Sequence, residues 1–198
     1  MKFELYYPVK KPDLIYNQRF GENATPMYAG MGLKGHNGID FYALDGFPIY
    51  ASHDGEVVFC GEDGSAGLGV VIRTLEPKEY LNTTAYFKSI YWHIKKGSFK
   101  VKAGDKVVAG QLIAEADNTG MSTGAHLHFG IKPVMVGEEN WSWYNLEQNN
   151  GYLGAIDPQP YFNGVFAQDA QKMISLTQQI TLLRKLVELY KQLFALKK

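Results

Sequence analysis

The chain has 198 residues, and its 20 Lys and Arg side chains are balanced by 20 Asp and Glu, so the formal net charge at pH 7 is zero. This balance argues against a nucleic-acid interface, because a broad basic face is needed to displace counterions from phosphate. The single cysteine, Cys60, excludes an intrachain disulfide and a thiolate zinc cluster. His and carboxylate side chains remain as the ligands of any metal site.

The amino-terminal residues 1–16 contain no apolar run long enough for the core of a secretion signal. No segment has the roughly 18 uninterrupted apolar residues that are typical of a membrane-spanning helix. We therefore expect no signal peptide and no transmembrane segment, so that a separate delivery route is needed if the protein acts outside a cell.

Short apolar runs separated by turn signals occupy residues 30–135 and predict an all-β fold with an antiparallel sheet or sandwich. No helical pattern intervenes among these runs, which disfavours a parallel βαβ architecture. Dipeptides such as Asp54-Gly55 and Thr119-Gly120 provide the turns. The predicted strands are Gly38–Tyr42, Pro48–Ala51, Gly55–Cys60, Gly69–Thr74, Ile90–His93, Lys106–Val108, Leu112–Glu115 and His126–Lys132.

Two stretches, 75–89 and 137–154, are predicted to be loops or insertions. The second stretch is rich in aromatic residues: Trp141, Trp143, Tyr144 and Tyr152. Aromatic side chains in such loops either bind a ligand or pack the loop against its own domain, and packing is the more common role.

From Asp169 to the carboxyl terminus there is no Gly or Pro, and the pattern predicts an amphipathic α-helix. Apolar residues recur at alternating steps of three and four, which is the heptad pattern of a coiled coil: Met173, Leu176, Ile180, Leu183, Val187, Tyr190 and Phe194. Further leucines widen this stripe: Leu182, Leu186, Leu189, Leu193 and Leu196. Such a face either docks on the β domain or joins other copies or a larger assembly.

The charge is unevenly divided between the helix and the rest of the chain. Residues 169–198 carry six Lys and Arg against two Asp and Glu, which gives the helix +4 and the remainder −4. Contact with an anionic envelope and simple solvation of the lysines are both compatible with this distribution.

The histidines provide the candidates for chemistry. On a strand, His126 and His128 would share a polar face about 6–7 Å apart. His36 and Asp40 would be about 13 Å apart in an extended strand, so the chain must bend between them to share a metal, and Asn37 followed by a glycine favours such a bend. Two imidazoles and one carboxylate leave the fourth tetrahedral position of zinc open, which is the pattern of a catalytic site. Since no HExxH motif is present, the general base is sought among the remaining histidines.

Taken together, the motifs resemble the lysostaphin-type zinc endopeptidases, peptidase family M23. The motifs that carry the resemblance are residues 36–40 (HNGID), 46–51 (GFPIYA), 54–58 (DGEVV), 91–93 (YWH), 101–107 (VKAGDKV) and 124–129 (GAHLHF). The resemblance covers residues 18–158 and implies an antiparallel β fold with a groove, one Zn²⁺ and hydrolysis of peptide bonds in peptidoglycan stems or cross-bridges. It also implies roles for individual residues: His36, Asp40 and His128 as zinc ligands, His126 as the general base, and His93 as the group that holds the water or stabilises the transition state.

Two residues depart from the family pattern, and they bear on substrate preference. Ala125 stands where Pro is common, and Trp92 precedes the catalytic histidine where a small residue is usual. The fifth histidine, His53, matches no functional position and is predicted to lie on a surface turn.

The sequence therefore predicts a metallopeptidase domain over residues 1–168, with its core at 18–158, followed by a helix at 169–198 for oligomerisation or docking. The expected place of action is the cell wall, and the missing signal peptide favours a phage lysin or virion-borne enzyme. The alternatives are a non-catalytic regulator and a structural virion component with the same fold. A lipoyl-type carrier domain is disfavoured because the hairpin at 117–121 lacks the lysine to be modified.

Overall fold

The structure is a computed structural model that describes residues 1–22, 26–136 and 143–195. Its strands are β1 (Leu5–Tyr7), β2 (Tyr16–Gln18), β3 (Ile39–Tyr42), β4 (Pro48–Tyr50), β5 (Gly55–Glu62), β6 (Leu68–Arg73), β7 (Lys78–Tyr80), β8 (Thr83–Trp92), β9 (Lys106–Val107), β10 (Leu112–Glu115), β11 (His126–Val136), β12 (Trp143–Asn145) and β13 (Phe162–Phe166). The helices are α1 (Met27–Gly30) and α2 (Ala167–Ala195), and short 3₁₀ turns lie at Gly64–Ala66 and Gln159–Tyr161.

The main sheet has the strand order β2-β3-β11-β8-β6-β5-β9, with β12 added to β11 and β7 added to β8. These neighbours pair in antiparallel fashion, which confirms the predicted antiparallel all-β fold. Strands β4 and β10 form a separate antiparallel pair, whereas β1 and β13 pair in parallel. Each of the eight predicted strands has a counterpart; β5, β8 and β11 extend beyond the predicted ends by two or more residues, and β6 begins one residue early.

Of the two alternatives for 75–89, the loop is wrong, because this stretch forms the hairpin of β7 and most of β8. The positive φ of 50° in its turn is adopted by Leu81, whereas a Gly or an Asn-Gly pair usually occupies such a position. The sequence therefore carries no turn signal here. In the second predicted loop, 143–145 form β12 while 137–142, including Trp141, lie outside the described residues. Tyr152 of this stretch packs against Phe20, with ring centroids 4.6 Å apart.

The core lies beneath one face of the main sheet. Alternate residues of β3, β8 and β11 point into it, including Phe41, Tyr91 and Phe129, each fully buried. The amino-terminal segment joins the same core, since Phe3 and Leu5 are buried and Leu5 pairs with Phe162 of β13. The amino-terminal segment and β13, which precedes α2, thus pack against the same core. The opposite face of the main sheet carries the histidines and Asp40 described below.

His53 is buried at 5% exposure, so the prediction of a surface turn histidine is wrong. Its Nδ1–H donates to the backbone carbonyl of Asp54 (2.8 Å), which leaves Nε2 to accept from the hydroxyl of Ser89 (2.8 Å). Ser89 Oγ also lies within hydrogen-bond distance of the Tyr91 hydroxyl (3.1 Å), and the Tyr91 oxygen accepts from the backbone N–H of Ser52 (2.8 Å). Both ring nitrogens of His53 therefore have hydrogen-bond partners, which offsets the free-energy cost of burying a polar imidazole in the hydrophobic core.

Helix α2 is anchored only through its first turn. Ala167 and Ala170 are buried, and Gln168 donates to the Tyr50 hydroxyl (2.9 Å) and accepts from the backbone N–H of Lys11 (2.7 Å). From 172 to 192 the described side chains are exposed. The predicted helix is present, and within one chain the described part of its apolar stripe, from Met173 to Tyr190, is exposed. Among the described helices, none combines the length and the apolar character that crossing a membrane requires.

Candidate metal centre and active site

Strand pairing assembles three of the predicted site residues on one face of the main sheet. His128 of β11 lies directly opposite Asp40 of β3, and His126 lies opposite Tyr42 in the same pairing. Because alternate residues of a strand point the same way, both imidazoles stand on the face that carries Asp40, while Leu127 is buried in the core. This agrees with the shared polar face that the His-Leu-His spacing predicts.

His36 reaches the same point because the chain bends before β3 begins at Ile39. The bend lies at Asn37 and Gly38, and it brings His36 Nε2 to 3.1 Å from Asp40 Oδ1. Gly38 must lack a side chain, since a Cβ there would be 2.7 Å from Cε1 of His128. The bend and the glycine therefore explain how residues four apart meet at one centre.

The donor atoms of His36, Asp40 and His128 form a nearly equilateral triangle. Nε2 of His36 is 2.9 Å from Nδ1 of His128, and Asp40 Oδ1 is 3.1 Å and 3.0 Å from these two nitrogens. A tetrahedral zinc with bonds of about 2.0–2.1 Å requires ligand atoms about 3.3–3.4 Å apart. The triangle is within a few tenths of an ångström of that spacing, so its donor types and its geometry both fit a zinc ion.

Backbone carbonyl groups fix the tautomers of three of the site imidazoles. In each case a carbonyl oxygen lies within hydrogen-bond distance of Nδ1 and accepts its proton, which leaves Nε2 unprotonated. The pairs are His36 with Arg19 (3.2 Å), His93 with Thr119 (2.7 Å) and His126 with Gly124 (2.8 Å). Thus His36 presents a lone pair to Asp40 and His128, and His126 Nε2 lies 3.5 Å from Asp40 Oδ1.

His93 lies beside this cluster and is held in an unusual backbone conformation. Its φ is +65°, a region that non-glycine residues occupy rarely and at a cost in free energy. The ring centroid is 4.6 Å from that of His126 and 6.1 Å from that of His128. The side chain of Thr119, whose carbonyl accepts from His93, donates to the carbonyl of Ile94 (2.8 Å) and so braces this contact.

The ionisation of the site follows from burial and from the charge of Asp40. Burial alone would raise the pKa of Asp40, but the neighbouring imidazoles of His126, His128 and His36, which donate to the carboxylate when they are protonated, hold this pKa well below its usual range. Burial lowers the pKa of His93 to about 4 and also lowers that of His128. For His126 the lowering by burial is outweighed by Asp40, and its pKa is raised. In this environment Asp40 is a carboxylate and His93 is neutral at pH 7.

The sequence of residues 34–140 matches the model of Peptidase family M23. This range is more than half of the chain, and it contains every one of the five site residues. The chain belongs to peptidase family M23. The family consists of metallopeptidases, and the resemblance drawn from the motifs is thereby confirmed.

Relatives within and near this family support the same assignment. The chain is 35% identical to the glycyl-glycine endopeptidase ALE-1 of Staphylococcus capitis over 115 residues, which are 58% of this chain and 29% of the relative. It is 42% identical to the peptidoglycan DD-endopeptidase ShyA of Vibrio cholerae over 96 residues, 48% of this chain and 20% of the relative. The chain thus spans less than a third of these relatives.

A solved structure of a zinc-containing peptidase from Vibrio cholerae matches the fold with a TM-score of 0.53 and 31% identity. The match covers 67% of this chain and 37% of that one. The fold is therefore shared over about two thirds of this chain.

Residues beside the five histidine and aspartate positions shape the site in ways that the sequence did not reveal. Trp92, noted as a departure from the family pattern, pairs with His128 across β8 and β11 and lies over Gly69 of β6, where a Cβ would overlap its indole ring. Its ring also meets Phe59 edge to face at 5.7 Å. The glycine at position 69 is a sequence signal for this close approach. The carbonyl groups that orient the imidazoles belong to the backbone, so no residue type in the sequence predicts them.

Proposed function

We propose that this chain is a zinc-dependent endopeptidase that hydrolyses peptide bonds in the stem peptides or cross-bridges of peptidoglycan. The observation that carries the proposal is the triangle of donor atoms from His36, Asp40 and His128, with sides of 2.9–3.1 Å, beside two further imidazoles. Membership of family M23 and the peptidoglycan endopeptidase among the relatives support the reaction and the substrate class.

In this proposal His36, Asp40 and His128 hold one Zn²⁺. Zinc, when bound, supplies Lewis-acid chemistry that lowers the pKa of water and polarises a carbonyl group. His126 acts as the general base, because the Gly124 carbonyl holds its proton on Nδ1 and leaves Nε2 free to accept one. His93, oriented in the same way by Thr119, stabilises the developing charge or donates to the leaving amine once it is protonated.

The same observations weigh against the alternative of a non-catalytic regulator. A regulator needs neither the oriented pair His93 and His126 nor the strained φ of +65° at His93. A strained residue next to a metal-binding triangle is typical of sites where the geometry serves a reaction.

Hydrolysis of purified peptidoglycan tests the proposal. The protein should release new amino termini. A chelator should abolish this release, and added zinc should restore it. The variant His126→Ala should release none, with or without added zinc. His53→Gln is a matched control, since His53 is buried away from the centre and its variant should retain the activity. Binding of one zinc without any release of amino termini would favour the regulator. Mass spectrometry of the fragments identifies the bond that is cut.

We also propose that the chain divides into a catalytic unit, residues 1–168, and a helical unit, 169–198, that associates with a second copy. The seam residues of α2 from Met173 to Tyr190 are between 45% and 61% exposed, at heptad spacing. Burial of such a stripe between two helices is the usual solution for an apolar face of this width. If the partner is instead a larger assembly, such as a virion, the helix would carry the enzyme to the cell wall.

Light scattering tests the association. Ending the chain at Lys172 leaves the first turn of α2 docked on the domain, and it should lower the mass of the particle to that of one chain. Leu183→Glu, in the seam, should do the same, whereas Thr181→Glu, on the opposite side of the helix, should not. A parent protein that is already monomeric would contradict self-association and favour a different partner.

A further inference from the structure

A row of charged side chains crosses the face of the main sheet that carries the metal centre. Lys132 of β11 lies opposite Lys88 of β8, and Lys88 lies opposite Arg73 of β6. Strand pairing continues the row to Glu56 and then to Lys106. Directly opposed residues of neighbouring strands have side chains on the same face, so three cations stand side by side.

This row shares its face with the active site because of the alternation along the strands. Lys132 is four residues after His128 on β11, and Lys88 is four residues before Trp92 on β8. An even number of residues preserves the face, and four residues of extended strand cover about 13 Å. The row therefore lies about 13 Å from the metal centre along the strands.

Apolar residues occupy the sheet between the metal centre and the row. Gly130, Ile90 and Val71 pair in register across β11, β8 and β6, and Phe59 of β5 pairs with Val71. These four residues form an uncharged surface between the metal centre and the row of charges. An extended peptide could lie on this surface without placing its backbone against a charged side chain.

Among the described residues, ion pairs compensate only part of the charge of the row. Arg73 forms an ion pair with Glu56 at 2.9 Å. Over the described ranges, neither Lys88 nor Lys132 has an ion pair, although the more distant Asp63 acts favourably on the charge of Lys132. Burial lowers the pKa of both lysines, and the cation on the neighbouring strand lowers it further.

Two opposed lysines in this environment destabilise the fold. Like charges directly opposite on neighbouring strands repel, and partial burial removes the water that would screen them. A carboxylate brought by a ligand would relieve both costs through charge-assisted hydrogen bonds.

We propose that Lys88 and Lys132 form a subsite for a carboxylate group of the peptide substrate. The inference rests on the proposed function, because the place of the subsite on the metal-bearing face is what links it to the substrate. An extended peptide spans the distance of about 13 Å in about four residues, so the carboxylate is about four residues from the bond that is cut.

A pair of matched substrates tests this subsite. One is a peptidoglycan-derived cross-linked peptide with free side-chain and α-carboxylates, and the other is the same peptide with these groups amidated. The parent should cleave the free form about tenfold more efficiently, with the difference in KM. Lys88→Gln and Lys132→Gln should each remove this preference, and Lys102→Gln, at an exposed turn, should keep it.

The stability of the two lysine variants provides a second readout. If the lysines served only to stabilise the fold, their replacement would lower the urea concentration at which the protein unfolds. Since the opposed lysines repel, both variants should unfold at a urea concentration equal to or above that of the parent. Loss of stability in both variants, or equal loss of kcat/KM on the free and the amidated peptide, would overturn the proposal.

The two proposals fail in distinguishable ways. If the parent cleaves neither peptide, the proposed function is wrong, and fluorescence anisotropy with labelled forms of the same two peptides then tests the subsite alone. Tighter binding of the free form that disappears in Lys88→Gln supports the subsite, and equal binding of both forms overturns it.

Discussion

The buried imidazole of His53 should make the folded protein sensitive to acid. Burial lowers the pKa of His53 to about 4, against 6.5 for an exposed histidine, although the Asp54 carbonyl acts in the opposite direction. Between these two values the unfolded chain binds a proton that the folded chain rejects. The free energy of unfolding is therefore highest above pH 6.5 and falls as the pH decreases towards 4.

The size of this effect follows from the two pKa values. One pH unit of difference corresponds to about 1.4 kcal/mol, so the gap between 6.5 and about 4 corresponds to about 3 kcal/mol when it is fully expressed. At pH 5 about 2 kcal/mol of it is already lost. For a domain of ordinary stability, about 5–15 kcal/mol, this is a measurable fraction.

Urea unfolding of the parent and of His53→Gln between pH 7.5 and 4.5 tests the prediction, with a chelator present so that no metal contributes. At pH 7.5 the variant should be less stable by about 1 kcal/mol, since it loses a hydrogen bond of the buried chain. This difference should shrink and reverse by pH 5, because only the parent buries a titrating imidazole. Taking the difference also cancels the contribution of His93, which both proteins share.

Ser89→Ala is the matched control, because it removes the hydroxyl that faces Nε2 but keeps the imidazole. It should keep the pH dependence of the parent. A free-energy difference between the parent and His53→Gln that stays constant over this pH range would refute the reasoning.

Three further substitutions test the construction of the active site. Gly38→Ala places a methyl group 2.7 Å from Cε1 of His128 and should lower zinc affinity at least tenfold in a chelator competition. The circular dichroism spectrum should stay unchanged. Unchanged zinc affinity would mean that the imidazole of His128 moves freely. Thr119→Val removes the side chain that braces the carbonyl behind His93 and should lower kcat about tenfold without raising KM, while Thr119→Ser should retain activity. A loss confined to KM would contradict this. Gly69→Ala drives a methyl group into the indole of Trp92 and should cost about 1–3 kcal/mol in urea unfolding, a cost that the added change Trp92→Ala should reduce.

Much of the site follows from local patterns in the sequence. The spacing of His126 and His128 places them on one face because a strand alternates strictly, and the Asn-Gly pair between His36 and Asp40 bends the chain so that these two side chains meet. The heptad spacing of α2 follows from helix geometry in the same way.

Other features escaped prediction because their causes are not local. The hairpin at 78–92 turns at a leucine rather than a glycine, and its strand is stabilised by β11 and β6, which are distant in the sequence. His53 is buried because Phe3, from the segment before β1, and Ser89, from β8, pack against it, whereas the sequence around it is that of an ordinary turn.

By itself, the sequence determined which side chains are the candidates for the chemistry and which of them share a strand face, since residue type and strand periodicity are local properties. Only the tertiary structure decided which carbonyl groups orient the imidazoles, that Lys88 stands opposite Lys132, and that the described part of the apolar stripe of α2 is exposed. These depend on strand register and on contacts between segments far apart in the chain, which no local pattern specifies.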